Sequence, residues 1–265
     1  SSFDDIGVAM IPSGYKEGKL YSVLPNSGDG DFDFSRSTTA TRVNSQGLIE
    51  KARTNFLLQS NTFSNASWNE IRSSVTSGAT DPFGGSNAWS FLTDTTSDDQ
   101  HYIYQVISQS GVGTLSIYAK ANGYNWLRMR LPSEEAYFDL ANGVTGSSTT
   151  GISASMTDVG NGWYRCEVAI SDMSSNTNIF IHIAEGDGDI IIGGTPSGTD
   201  GLYIYAAQLE QGLVATDVIT TTTSSVTVGI VNDLPRLDYS GGASCPSLLL
   251  EPQRTNLITY SEDFS

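Results

Sequence analysis

The feature that most constrains this chain is a recurrence of short apolar runs, each closed off by turn-forming residues. Between residues 53 and 212 these runs are Ala88–Leu92, Tyr102–Ile107, Gly113–Ala119, Trp126–Leu131, Ala136–Leu140, Gly151–Met156, Trp163–Ile170, Asn178–Ala184 and Leu202–Leu209. Each is rich in β-branched or aromatic residues and is bounded by Gly, Asn, Asp, Ser or Pro, as strands are. No run of ten or more residues carries a helical spacing of apolar positions. Regularly spaced short strands of this kind predict an all-β chain whose main body is a jelly-roll β-sandwich. Composition supports this at one point. Charged residues are only 16% of the chain, and Gly, Ser, Thr and Asn take their place, which suits turns better than helices.

The flanks read differently. Residues 1–52 are punctuated by Gly7, Gly14, Gly18, Gly28, Gly30 and Gly47, with Pro12 and Pro25. Short strands are expected at Lys19–Val23, Phe32–Ser35 and Ala40–Val43. Few large apolar residues lie there, so this segment must lean on something else; it is read as an extended N-terminal anchoring and assembly arm. Residues 53–212 form the sandwich module. Residues 213–234, rich in Thr, Ser and Val, read as a linker or extended arm, and 235–265 as the start of a following module. An internal repeat supports that division. Arg53-Thr54-Asn55, with Phe63-Ser64 closing the stretch, recurs as Arg254-Thr255-Asn256 with Phe264-Ser265. The first copy opens the sandwich region, so the second is expected to open another module in a longer polypeptide.

The totals exclude several classes. Lys and Arg number 13 against 29 Asp and Glu, a formal net charge of −16, which repels phosphate backbones and argues against nucleic acid as a partner. No stretch of 18 apolar residues is present, so no membrane span is expected. The first residues, with Asp4 and Asp5, lack the basic region of a signal peptide. The two cysteines, Cys166 and Cys245, are far apart and in no metal-binding spacing. Cys166 sits in an apolar run and reads as a buried free thiol.

Strand alternation sorts side chains onto two faces. Leu127, Met129 and Leu131 share one face, as do Ile179, Ile181 and Ile183, Leu202 and Ile204, and Leu115 and Ile117. These aliphatic faces are expected to be the core. The opposite faces carry Tyr118, Lys120, Trp126, Arg128, Arg130, Phe180, His182, Tyr203 and Tyr205. Aromatic rings beside hydrogen-bond donors suit sugars, which have apolar C–H faces and polar rims, so these nine are the candidate glycan-binding residues. The competing reading is burial against residues 1–52, a following module or a neighbouring subunit, because interfaces favour the same residue types.

No cofactor is expected. The one candidate is a structural calcium at the acidic loop Glu185–Asp189, with Asp187 and Asp189 as its ligands; Asp29, Asp31 and Asp33 form a similar run. Solvated turns compete with that reading. Catalysis finds no motif: no G-x-S-x-G, H-E-x-x-H, Walker loop or G-x-G-x-x-G occurs. Glu134 and Glu135 are adjacent, and adjacent strand residues face opposite ways, whereas a glycosidase needs two carboxyls across one bond. The chain is expected not to be an enzyme, with a glycan depolymerase the least favoured alternative.

Two stretches resemble an N-terminal signature of phage tail, fibre and other virion proteins: FSRSTTATRVNSQGLIEKARTNFLLQSNTFSNASWN and LPRLDYSGGASCPSLLLEPQRTNLITYSEDFS. TLSIYAKANGYNWLRMRL, YFDLANG, GNGWYRCEVAI and YIYAAQLEQGLVAT resemble the carbohydrate-binding-like jelly-roll modules of those proteins. The resemblance runs over most of the chain from Phe32 onward. It implies a virion structural protein on the exterior of a phage particle, of head-fibre, tail-fibre or decoration type. Its partners would be capsid, portal or tail proteins, its own copies in a homo-oligomer such as a trimer, and a surface polysaccharide. A tail receptor-binding adhesin for host polysaccharide is the alternative. In many relatives the two signature pieces lie close together; here a whole module separates them, as if inserted or duplicated.

Overall fold

The computed structural model describes residues 14–16, 19–21, 32–33, 35–131, 134–170, 173, 177–239 and 246–250. Cys245, the acidic residues Asp29 and Asp31, and the second signature at 254–265 lie outside the described residues. The described residues hold strands, turns and bends, and no helix. The chain divides into two compact units, one from residues 1–52 with 228–265, the other from 53–227.

The larger unit is a β-sandwich, as the strand pattern requires. Its strands are β1 (Asn69–Ile71), β2 (Ser73–Ala79), β3 (Ala88–Thr93), β4 (His101–Ile107), β5 (Gly113–Asn122), β6 (Trp126–Arg130), β7 (Glu135–Asp139), β8 (Val144–Ser148), β9 (Ser153–Gly160), β10 (Trp163–Ile170), β11 (Thr177–Ala184) and β12 (Gly201–Gln211). They form two six-stranded antiparallel sheets. The front sheet runs β8-β7-β6-β11-β4-β1 and the back sheet β9-β10-β5-β12-β3-β2.

The core sits between the sheets. Leu127, Met129, Ile179, Ile181, Ile183, Ile103 and Phe138 come from the front; Leu115, Ile117, Cys166, Val168, Leu202, Ile204 and Leu209 come from the back. All the aliphatic faces expected to be core are buried, Leu131 included. Each such side chain contributes about 1.5–3 kcal/mol on burial, and together they fix register, since a one-residue slip would turn every one of them outward.

One strand breaks the alternation. In β12 the order Leu202-Tyr203-Ile204-Tyr205 continues as Ala206-Ala207-Gln208-Leu209. The ladder to β5 pairs Tyr205 with Tyr118 and Gln208 with Ser116, leaving two alanines opposite Ile117. This is a β-bulge, with Ala206 at a φ of +50°. It keeps Leu202 and Leu209 both in the core despite their odd spacing.

The lead-in to the sandwich is held by Asn55, which is wholly buried. Its Oδ1 accepts from the backbone N–H of Leu57 and of Leu209; its Nδ2 donates to the carbonyls of Ala207 and Ile219. The Arg-Thr-Asn signature therefore supplies a bracket. The stretch read as a linker, 213–234, is tied down over part of its length. Ile219, Thr221 and Ile230 are buried, Ile219 N donates to Gln208 Oε1, and Thr221 exchanges hydrogen bonds with Ser60.

In the smaller unit, a hairpin of Thr41–Val43 and Ile49–Lys51 turns at Asn44, whose Oδ1 accepts from Gln46 and Leu48 N–H. It is braced by residues that follow the sandwich. Asp233 Oδ1 accepts from Arg36 N at 2.8 Å, Asp238 Oδ1 from Val43 N at 2.7 Å, and Ile230 O from Ala40 N at 2.9 Å. The segment before 52, thin in core residues, leans on the segment after 228.

Candidate functional site

The nine candidate residues do not share one face. β6 and β11 belong to the front sheet, β5 and β12 to the back. Their outward faces point away from each other across the core. Trp126, Arg128, Arg130, Phe180 and His182 are therefore on one side of the sandwich, and Tyr118, Lys120, Tyr203 and Tyr205 on the other. This corrects the expectation of a single aromatic face. Alternation tells which residues share a strand face; it does not tell which sheet a strand joins.

The back group is closed over by its own chain. Tyr118 is buried, and its ring lies 5.9 Å from that of Tyr205 and 5.7 Å from that of Phe83. Phe83 is delivered by a turn fixed on Asp81, whose carboxylate accepts from the N–H groups of Phe83, Gly85 and Asn87. Arg165 stacks over Tyr118 at 5.5 Å and donates to Thr216 O. Residues 216–219 lie over the outward Gln208 and Glu210, with Thr216 N donating to Glu210 Oε2 and Gln208 Nε2 to Thr216 O. Lys120 Nζ is spent on Asn161 O at 2.8 Å. Tyr203 packs at the margin of this cluster.

The front group is organised in rows by strand register. Tyr102 pairs with His182, His182 with Arg128, and Arg128 with Tyr137. One step along, Tyr104 pairs with Phe180, Phe180 with Arg130, and Arg130 with Glu135. Trp126 continues the face beside Asp139. The rings tile it: Tyr102 to His182 4.7 Å, Tyr102 to Phe180 5.5 Å, Tyr104 to Phe180 5.6 Å. Tyr102, Tyr104, Phe180, Trp126 and Arg130 are half-buried, while Arg128, His182 and Tyr137 form a buried middle.

Polar groups punctuate these rings. Arg128 gives both Nε and Nη2 to Glu135 Oε2, at 2.8 and 2.5 Å, and lies 5.7 Å from the Tyr137 ring centroid. Arg130 stands 4.9 Å over Phe180. Neither ring nitrogen of His182 nor the Tyr137 hydroxyl has a hydrogen-bond partner among the described residues. Burial, reinforced by Arg128 and Arg130, holds His182 well below its ordinary 6.5, so the imidazole is neutral. Burial pushes the Tyr137 phenol up, so it stays protonated and able to donate. Gly146 lets this edge close: a Cβ there would stand 2.7 Å from Trp126 Cζ3 and 2.4 Å from Asp187 Oδ1.

Sequence reasoning missed Tyr102, Tyr104, Glu135 and Tyr137. The signal was there in the alternation Tyr102-Ile103-Tyr104 and in Ala136-Tyr137-Phe138. For the acidic loop, Asp187 Oδ1 accepts from Ser147 N and Oγ, and Asp189 is exposed in the same turn. Among the described residues no three His, Cys, Asp or Glu side chains converge as metal ligands would. Nor, among them, is there a helix long and apolar enough to cross a membrane.

No family model and no curated protein matches the chain. A solved structure resembles it at 12% identity and a TM-score of 0.34, covering 63% of this chain and 29% of that one. It is the Clostridium thermocellum N-terminal endo-1,4-β-D-xylanase 10B, CBM22-1–GH10 modules, complexed with xylohexaose. The chain thus spans less than a third of the length of that structure.

Proposed function

We propose that residues 53–227 are a non-catalytic carbohydrate-recognition module, and that the front face of the sandwich meets the sugar. The observation that carries this is the pair of cross-strand rows in which two rings and a guanidinium group stand side by side on an outward sheet face. Pyranose C–H faces stack on such rings, and Arg and Tyr donors hold the hydroxyl rim. The back face offers less, because residues 81–87 and 216–219 of the same chain occupy it. Glu135 serves Arg128 in this arrangement, as an orienting group and not as half of a hydrolytic pair.

The biological setting in this reading is the exterior of a bacteriophage particle. The module is displayed, and the unit containing residues 1–52 attaches it to capsid, portal or tail protein, in a homo-oligomer. Its support is the sequence resemblance of the TATRVN, GLIE and PRLDY stretches to virion proteins.

The test is the whole chain on a microbial polysaccharide microarray, with Phe180→Ala, Tyr104→Ala and Tyr205→Ala beside it. Stacking of a nucleobase on one aromatic ring is worth about 1–3 kcal/mol; at the low end of that scale for a sugar ring, the first two variants should bind about tenfold more weakly. Tyr205→Ala, on the opposite sheet, should bind as the parent does. Equal loss from all three would remove the front face from the reading. A parent that binds no glycan, but whose oligomer dissociates on Phe180→Ala, would make the face a subunit contact.

A further inference from the structure

We infer that the front face selects acidic polysaccharides, with Arg130 receiving the carboxylate or sulfate of the sugar. This rests on the carbohydrate-binding reading of that face and names its ligand class. The argument is a contrast between two arginines two residues apart on β6. Arg128 is buried and neutralised: Glu135 Oε2 takes its Nε and Nη2. Arg130 stands directly opposite Glu135 in the ladder, yet that carboxylate is turned to Arg128. Arg130 makes no ion pair with any described residue. Its partner is the Phe180 ring, 4.9 Å below the guanidinium carbon.

The chain carries 29 acidic residues against 13 basic ones, so an arginine left without an acid stands out. A guanidinium over a ring keeps its N–H donors at its rim, where the fork matches a carboxylate or sulfate. Phe180 and Tyr104, ring centroids 5.6 Å apart, lie beside it as the stacking surface for the sugar ring that bears the anion. The strongly negative remainder of the protein disfavours indiscriminate polyanion binding, so affinity for an acidic glycan needs a built contact.

The experiment uses the full chain on an array of acidic and neutral bacterial polysaccharides, with polygalacturonate, dextran sulfate and dextran as calibrants. Affinities of the hits follow by calorimetry. The hits should be acidic, and the deficit of Arg130→Gln relative to the parent should shrink as NaCl rises from about 0.05 to 0.5 M, because salt screens the Arg130 contact. Polygalacturonate against dextran sulfate separates carboxylate from sulfate. Arg130→Gln should weaken binding about tenfold or more, as loss of a charge-assisted contact does, with a thermal midpoint lowered by only a few degrees for the lost contact with Phe180; Arg130→Lys should recover part of the binding. Should Arg130→Gln fold poorly, the acidic preference of the parent and the affinity of Arg130→Lys decide. Neutral hits that Phe180→Ala abolishes and Arg130→Gln leaves alone would overturn this inference and keep the carbohydrate reading. Acidic hits indifferent to Arg130→Gln would overturn it too. No hit at all would overturn both.

Discussion

Asn55→Ala tests how the sandwich is closed. The Asn55 side chain is fully buried and all four of its hydrogen-bonding positions are used. Oδ1 accepts from Leu57 N and Leu209 N, both at 3.1 Å. Nδ2 donates to Ile219 O at 2.8 Å and to Ala207 O at 3.3 Å. Alanine strands two buried N–H groups, and a stranded buried group costs about 1–3 kcal/mol. The two carbonyls lose less, because each has a second lone pair. We therefore expect a loss of about 4 kcal/mol. In a unit of this size that lowers the thermal midpoint by about 8–16 °C. The assay is urea unfolding followed by tryptophan emission. All four tryptophans, Trp68, Trp89, Trp126 and Trp163, lie between 53 and 227, so the signal reports this unit and not the other. A loss below about 1 kcal/mol with an unchanged slope in urea would refute the bracket.

Two further outcomes follow from buried titratable groups. His182 is held well below 6.5, so the unfolded chain takes its proton first; the stability this contributes is full above about pH 6.5 and lost as pH falls below it. His182→Phe should flatten the fall in urea midpoint between about pH 7 and 5, a window above that of Asp81, Asp94 and Asp139, which hydrogen bonds hold below 3.8 despite burial; an equal fall in the variant would assign the acid sensitivity elsewhere. Burial drives the Cys166 thiol strongly upward, so a Cys245→Ser chain should show no thiol reactive to an aromatic disulfide reagent until urea unfolds it, and reaction in native buffer would contradict the packing of β10.

How far the sequence could be read depends on the kind of question. Period-two alternation exposes a residue's strand face directly, so Leu127, Met129, Ile181 and Leu202 could be assigned to the core without a structure. The same alternation leaves Trp126 and Tyr205 indistinguishable, because sheet membership is set by long-range pairing: β6 to β11, but β5 to β12. Coverage was equally out of reach. Nothing in the Thr-rich composition of 213–234 shows that Gln208 and Glu210 would hold 216–219 down by side-chain hydrogen bonds. Asn55 was visible as part of a repeated signature, but three of its four partners are more than 150 residues away, so the bracket it makes could not be read locally. Glu135 could be set aside as half of a hydrolytic pair because Glu134 faces the other way, but its partner could not be read: the structure gives it to Arg128, seven residues earlier and on the adjacent strand.

The interruption of the smaller unit by the sandwich also has an energetic logic. Closing a flexible loop of about 175 residues costs about 4–5 kcal/mol in chain entropy. A folded sandwich offsets that cost because its own ends meet: Thr54 Oγ1 and Thr227 Oγ1 are 2.8 Å apart. The smaller unit is built for the same juncture. Gly229, at a φ of +97°, comes so near the chain at 51–52 that a Cβ would stand 2.9 Å from Lys51 O and 3.2 Å from Ala52 Cα, an approach only glycine permits. Once the sandwich has brought these ends together, residues 36–43 and 230–239 need only dock through Arg36, Asp233 and Asp238. The coupling is reciprocal, as any free energy shared by two folding steps is. The core and the Asn55 bracket belong wholly to residues 53–227, whereas the smaller unit draws its two halves from either side of them. A perturbation that loosens the sandwich therefore returns the loop-closure cost to the smaller unit, and loss of the smaller unit's fold returns the same free energy to the sandwich.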